Sequence, residues 1–340
     1  MDRFRPIVPD HVLRRFADDP DLDEDTRANL HRSIALGAQL RRIRTETARL
    51  TLLASPAPEP RPSRPPAIEV FSCNHHTTLP GARIEDPSSA DEAARQAFVE
   101  TTGVAEFYRK VFGRNSVDGA GMALLSSVHY DRRFNNAFWN GTQMVYGDGD
   151  GQIFVDFTKA NDVIAHELTH GVTEHSLRLG YSDEAGGLNE SMSDVFGSMF
   201  RQWQAGQDAA GGDWLIGHDI LGPKALARGY TCLRDMSDPA AKHCLSPQPV
   251  HYRQYRSGMD PHDSSGIPNR AFATIAKAVG GPSWDPVGKL WYEALTGSRA
   301  HPTMSMAQFA GATRAAAARL FPGNSSLHAA VDSGWKAVGL

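Results

Sequence analysis

The sequence predicts an α+β chain: a helical segment first, then a strand-rich part to about residue 161, then a helical part to the C-terminus. Three observations carry that division. Residues 55–66 hold six prolines (Pro56, Pro58, Pro60, Pro62, Pro65 and Pro66), a composition that makes an extended, exposed linker. Between Ile68 and Asn161 the apolar runs are short and bounded by glycine turns, the pattern of strands. From Asp162 onward apolar residues recur at helical spacing,.

The expected parts are therefore 1–53, 54–67, 68–161 and 162–340. Residues 1–53 are rich in Arg and Asp and contain no Lys. Val8–Phe16 reads as a first helix with Asp10 as its N-cap. Asp25 to about Leu53 reads as a second, with Leu30, Ile34, Leu40 and Ile43 set among charges. The acidic run Asp18–Asp25 between them reads as a solvated loop. In the next part a helix is expected over Asp91–Val111, and strands at Val128–Tyr130, Met144–Tyr146 and Ile153–Phe157. Gly147–Gly151 is the turn before the last of these. Helices are then expected at Asp162–His175, Leu188–Trp203, Asn269–Val279, Trp284–Thr296, Ser305–Leu320 and Ser326–Val338.

Composition narrows the classes. At 340 residues the length suggests two to three domains,. Hydrophobic residues at 41% and charged residues at 22% are ordinary for a globular chain,. A formal charge of −4 gives no reason to expect nucleic acid or an anionic membrane as partner,. No stretch reaches the roughly 18 apolar residues of a membrane span. Met1–Pro6 lacks the apolar core of a secretory signal, so the expectation is synthesis in the cytoplasm and, for any export, a leaderless route. Three cysteines are an odd count, which argues against a disulfide scaffold. Cys232 and Cys244 are separated by 11 residues and can close a short loop; reduced thiols are expected.

One constellation carries chemistry. His166-Glu167-Leu168-Thr169-His170 puts two imidazoles at i and i+4, on one face of a helix, with a glutamate beside the first. That is the spacing for two zinc ligands and a general base. A zinc ion at a hydrolytic site takes a third protein ligand and leaves a position open. Glu190, 20 residues after His170, is the candidate. Asp194, one turn later, and Asn189 are candidates to hold the free N–H of a ligand histidine and fix its tautomer.

Further stretches extend this pattern: Ser126–Tyr130, Asn135–Gly141, Met144–Gly151, Gly187–Glu190 and Arg234–Pro239. With them, residues 70–340 resemble the thermolysin family of zinc metallopeptidases (gluzincins). Val8–Phe16 is similar to the start of a protealysin-type pro-segment. The resemblance implies a two-lobed, zinc-dependent endopeptidase made as a zymogen, cutting before apolar residues, with protein or peptide substrates. Its own N-terminal segment would be an intramolecular inhibitor, anchored by Val12, Leu13 and Phe16. The cut that frees it would fall between Thr51 and Ile68, before Leu52, Leu53 or Ile68. By matching positions, Asn136 and Ala137 would hold the substrate main chain, and Tyr181 and His262 would stabilise the oxyanion. Arg234 would bind a substrate carbonyl, and Phe154, Phe157, Val163, Ile216, Ile220 and Leu233 would line the apolar pocket.

Two departures stand out. The carboxylate that orients the catalytic histidine in the family matches Ser257, leaving Asp260 or Asp263 as replacements. The resemblance also implies paired calcium ions. Asp162 and Asp213 match, but Arg201, Leu215 and His218 fall where acidic ligands belong, and calcium takes six to eight oxygens. The paired site is expected to be absent. A rival reading is a zinc-bound protein whose catalysis is lost at the altered His262 segment and which binds or inhibits; the intact Glu167 argues against it.

Overall fold

The computed structural model describes residues 5–51, 64–176, 179–297 and 301–340. Its first elements are β1 (Arg5–Pro6), α1 (Asp10–Ala17) and α2 (Glu24–Thr51). Then come β2 (Ile68–Ser72), β3 (Ala82–Arg83), α3 (Glu92–Phe112), β4 (Leu124–Val128), β5 (Ala137–Trp139) and β6 (Met144–Tyr146). The helical part holds α4 (Asn161–Glu174), α5 (Asp183–Ala205), β7 (Leu215–Ile216), α6 (Pro223–Ala227) and β8 (Arg234–Asp235). It ends with α7 (Pro261–Ser264), α8 (Gly266–Val279), α9 (Val287–Thr296), α10 (Met306–Leu320) and α11 (Ser325–Ala337). The proline run from Pro56 to Pro62, Leu52 and Leu53 lie outside the described residues, as does the Ile43 side chain.

One six-stranded mixed sheet runs β1-β5-β6-β4-β2-β3. β2, β4 and β6 are parallel neighbours, and β5 turns back antiparallel on β6. The edge beyond β5 is taken by β1, antiparallel, with Arg5 opposite Trp139 and Pro6 opposite Phe138. The N-terminal segment thus adds a strand to the sheet, the pairing an extended peptide makes with an exposed edge. α1 then buries Val12, Leu13 and Phe16 in the main core. Pairs between Arg32 and Asp131, Arg133 and Asp25, Lys224 and Asp23, and Arg228 and Asp19 fasten the rest of the segment across its surface.

α4 and α5 lie side by side because α5 carries a glycine where they meet. A Cβ on Gly197 would stand 2.7 Å from the Asp162 carbonyl oxygen, so any larger residue would push the helices apart. Both helices bury nearly their whole length, as an element between two layers must.

Three local expectations are corrected. Ile153–Phe157 is no strand: the Asp150 carboxylate accepts from the N–H groups of Gln152, Ile153 and Phe154 and bends the chain, leaving one bridge from Phe154 to Leu221. Asp10 is not an N-cap. Pro9 holds that place with extended φ/ψ, and the Asp10 carboxylate sits inside the first turn, bonded to Arg41. The strand expected at Val128–Tyr130 lies earlier, at Leu124–Val128.

Candidate active site

α4 sets His166 and His170 one turn apart, their rings 4.8 Å apart and perpendicular. α5 brings Glu190 against both, with Oε2 3.4 Å from His166 Nε2 and Oε1 3.4 Å from His170 Nε2. All three side chains are fully buried. Neither His166 Nε2 nor Glu190 Oε2 has hydrogen-bond geometry to any partner among the described residues. Buried acceptors facing one another are costly without a cation between them. Imidazole nitrogen and carboxylate oxygen are the donors zinc takes, so this set fits that ion.

The other face of each imidazole is committed. His166 Nδ1 donates to Asp194 Oδ1 at 3.0 Å, and His170 Nδ1 to Asn189 Oδ1 at 2.9 Å. These bonds fix the tautomer that leaves both Nε2 lone pairs facing Glu190. Asp194 is itself clamped by Arg234 Nε at 2.9 Å, Arg234 Nη2 at 2.7 Å and Asn269 Nδ2 at 2.8 Å. Burial opposes ionisation of Asp194, but the Arg234 guanidinium and His166 outweigh it and hold the carboxyl down to about 2. Glu167 is fully buried beside the cluster, and burial pushes its carboxyl up to about 8 against the attraction of His166.

On the opposite wall α7 presents His262. Its Nδ1 donates to Asp260 Oδ1 at 2.8 Å, so Asp260 is the orienting carboxylate. Ser257 bonds to Asp183 instead, at 2.7 Å. Tyr181 donates to Glu190 Oε1 at 2.5 Å, with its hydroxyl 3.5 Å from His262 Nε2. Gln248 braces this wall through the His262 carbonyl and the Ser265 hydroxyl.

Between the two walls runs the N-terminal segment. His262 Nε2 donates to the Pro6 carbonyl at 2.6 Å. The Ile7 N–H goes to the Ala137 carbonyl at 3.1 Å, and the Ile7 carbonyl accepts from Arg234 Nη1 at 3.0 Å. Asn136 takes both main-chain groups of Val8, at 3.0 and 2.9 Å. Beside it a cavity of about 220 Å³ remains, bordered by Pro6, Tyr181 and His262. Phe154, Phe157, Val163, Ile216, Ile220 and Leu233 are all fully buried in the core that also takes Ile7. Main-chain bonds join Leu233 to Ile216 at 2.9 Å and Val155 to Ile220 at 2.9 Å.

Gln248 and Asn269 carry no local motif. The only trace of Asn269 in the sequence is a polar residue on the apolar face of a helix.

Away from the cleft, at the start of α4, Asp162 is fully buried. Arg201 lies 3.5 Å from it, 3.5 Å from Asp213 and 2.7 Å from Asp219. A guanidinium thus occupies the middle of this acidic cluster.

Residues 61–174 match the family model described as thermolysin metallopeptidase, catalytic domain, and 178–340 the one described as thermolysin metallopeptidase, alpha-helical domain. An extracellular metalloprotease of Pectobacterium carotovorum subsp. carotovorum is 39% identical over 92% of this chain and 94% of its own. The chain belongs to the thermolysin family. Protease PrtS of a Photorhabdus strain is 37% identical over 80% of this chain and 76% of its own. The solved precursor of protealysin, a metalloproteinase from Serratia proteamaculans, superposes with a TM-score of 0.84 at 34% identity, covering 98% of this chain and 99% of that one. This thermolysin-family protein is a neutral zinc endopeptidase made as a zymogen. Among the described residues no helix is long and apolar enough to cross a membrane.

Proposed function

We propose that His166, His170 and Glu190 hold the zinc, that Glu167 is the general base, and that residues 1 to about 53 inhibit by lying in the cleft as a peptide would. Zinc, when bound, supplies Lewis-acid chemistry: it polarises the scissile carbonyl and makes water a nucleophile near neutral pH. Glu167 takes the proton of the attacking water and passes it to the departing nitrogen. His262, oriented by Asp260, and Tyr181 donate to the carbonyl oxygen as charge develops there. Asn136 and Ala137 hold the substrate main chain, and Arg234 the carbonyl after the scissile bond. Phe154, Phe157, Val163, Ile216, Ile220 and Leu233 receive the apolar side chain that follows.

The observation that carries this reading is the peptide already present. Pro6 offers its carbonyl to His262, and Ile7 and Val8 satisfy Ala137, Arg234 and Asn136. In that register Pro6 stands on the carbonyl side of the bond and Ile7 on the amine side. The bond from His262 to Asp260 speaks against loss of catalysis at this segment.

We infer further that Arg201 supplies the positive charge that a paired calcium site would otherwise bring, so that one zinc is the only metal required.

Incubating wild type and Glu167→Gln, with peptidase assay and N-terminal sequencing, tests the assignment. Wild type should release its N-terminal segment by a cut between Thr51 and Ile68 and become active. Glu167→Gln should stay full length and lose roughly 10²–10⁴-fold in turnover while keeping its zinc. Near-normal turnover in Glu167→Gln would sink the general base; a full-length yet fully active wild type would sink the inhibitor.

A further inference from the structure

Cys232 and Cys244 stand at the two ends of the segment that carries Leu233, Arg234 and β8. They pair across an isolated parallel bridge, with the Leu245 N–H on the Cys232 carbonyl at 2.9 Å and the Thr231 N–H on the His243 carbonyl at 2.9 Å. Both are fully buried, packed with Ala241 and Leu215. Their sulfurs are 3.5 Å apart and neither is bonded covalently. Cys73 lies in another cluster, its thiol on the Pro80 carbonyl at 3.7 Å.

We propose that Cys232 and Cys244 form a disulfide when the protein meets an oxidising environment, stapling the base of the segment that carries Arg234. The main chain already holds the two residues side by side, so closure asks the sulfurs to approach by about 1.5 Å, to the usual bond length of about 2.05 Å. Arg234 reaches from this segment to Asp194 and to the Ile7 carbonyl, so the staple fixes the base of a segment used by both the histidine cluster and the inhibitory peptide. The oxidant is a small or protein disulfide. One cysteine thiolate attacks it, forming a mixed disulfide and expelling one thiol. The second cysteine then attacks the mixed disulfide at the first cysteine's sulfur and expels the other half as a thiol. Two protons and two electrons leave the pair, and the oxidant is reduced to two thiols. Because both sulfurs are buried, the bond forms during folding or through opening of this segment.

Full-length Glu167→Gln, which spares the chain from self-digestion, is refolded with a reduced or an oxidised glutathione buffer, alone and with Cys232→Ser or Cys73→Ser added. Intact mass, a non-reducing peptide map, Tm and zinc content are read. The oxidised parent and the Cys73→Ser form should each lose two hydrogens, link 232 to 244, and melt roughly 3–8 °C above their reduced forms. The Cys232→Ser form should show neither change. An unchanged mass or glutathione adducts in place of the bond overturns the proposal, and the parent's own reduced–oxidised comparison decides even if Cys232→Ser folds poorly. A second zinc per reduced chain, lost in Cys232→Ser, also overturns it, since the pair would then be a thiolate metal site with His243.

Discussion

α4 carries two clusters that call for positive charge, and this zymogen answers them in opposite ways. In the middle of the helix, His166, His170 and Glu190 turn their lone pairs toward one point, and the His262 imidazole, its Nε2 3.5 Å from Glu190 Oε2, spends that N–H on the Pro6 carbonyl. At its start, Asp162 meets Asp213 and Asp219 around the Arg201 guanidinium. Burial pushes the Asp162 carboxyl up, and Arg201 is the main force against that. A guanidinium is tethered and present at every metal concentration; a divalent ion can be exchanged but brings Lewis acidity. The difference teaches where each is useful: charge that only stabilises can be built into the chain, whereas charge that must act on a substrate is left to an ion.

The largest effect should come from taking the ion away. A zinc-selective chelator should abolish peptidase activity on casein, and zinc should restore it, while a calcium-selective chelator leaves activity standing. Equal loss with both chelators would break the contrast between the two clusters. Next is Arg201→Met, which leaves the Asp162 carboxylate buried without its main countercharge. Breaking a buried pair costs about 3–5 kcal/mol. Because Arg201 retains 19% exposure, we expect about 2–4 kcal/mol in urea unfolding, with zinc content unchanged. A loss below about 0.5 kcal/mol would mean that Arg201 is ornamental there. The smallest effect is millimolar calcium added to wild type: with no site to bind, Tm should move by less than about 1 °C.

What was legible in the sequence follows from these physical differences. His166, Glu167 and His170 could be read because helix periodicity alone puts them together, and α4 and α5 were visible as long periodic segments. Val12, Leu13 and Phe16 could be named as anchors because they are the apolar residues of a segment that resembles a pro-segment, and they are buried. The grip of Pro6, Ile7 and Val8 on the cleft was not readable, since it runs through main-chain groups that every residue has. Asn269 meets Asp194 across 75 positions, a contact without periodicity. The misread strand at Ile153–Phe157 failed for a local reason: one carboxylate, Asp150, outcompeted a sheet for three N–H groups. Asp260 and Asp263 were both in view as the orienting carboxylate, and only the fold could choose between them, by setting Asp260 on His262 Nδ1 and Asp263 toward His11.

Metal analysis after exhaustive dialysis tests the central claim most directly, on full-length wild type, Glu167→Gln and Glu190→Ala together. Wild type and Glu167→Gln should each hold one zinc per chain and no stoichiometric calcium, because the general base is not a ligand and Arg201 already fills the acidic cluster. Glu190→Ala should lose its zinc. Full zinc retention in Glu190→Ala, or calcium bound stoichiometrically to wild type, would contradict the account.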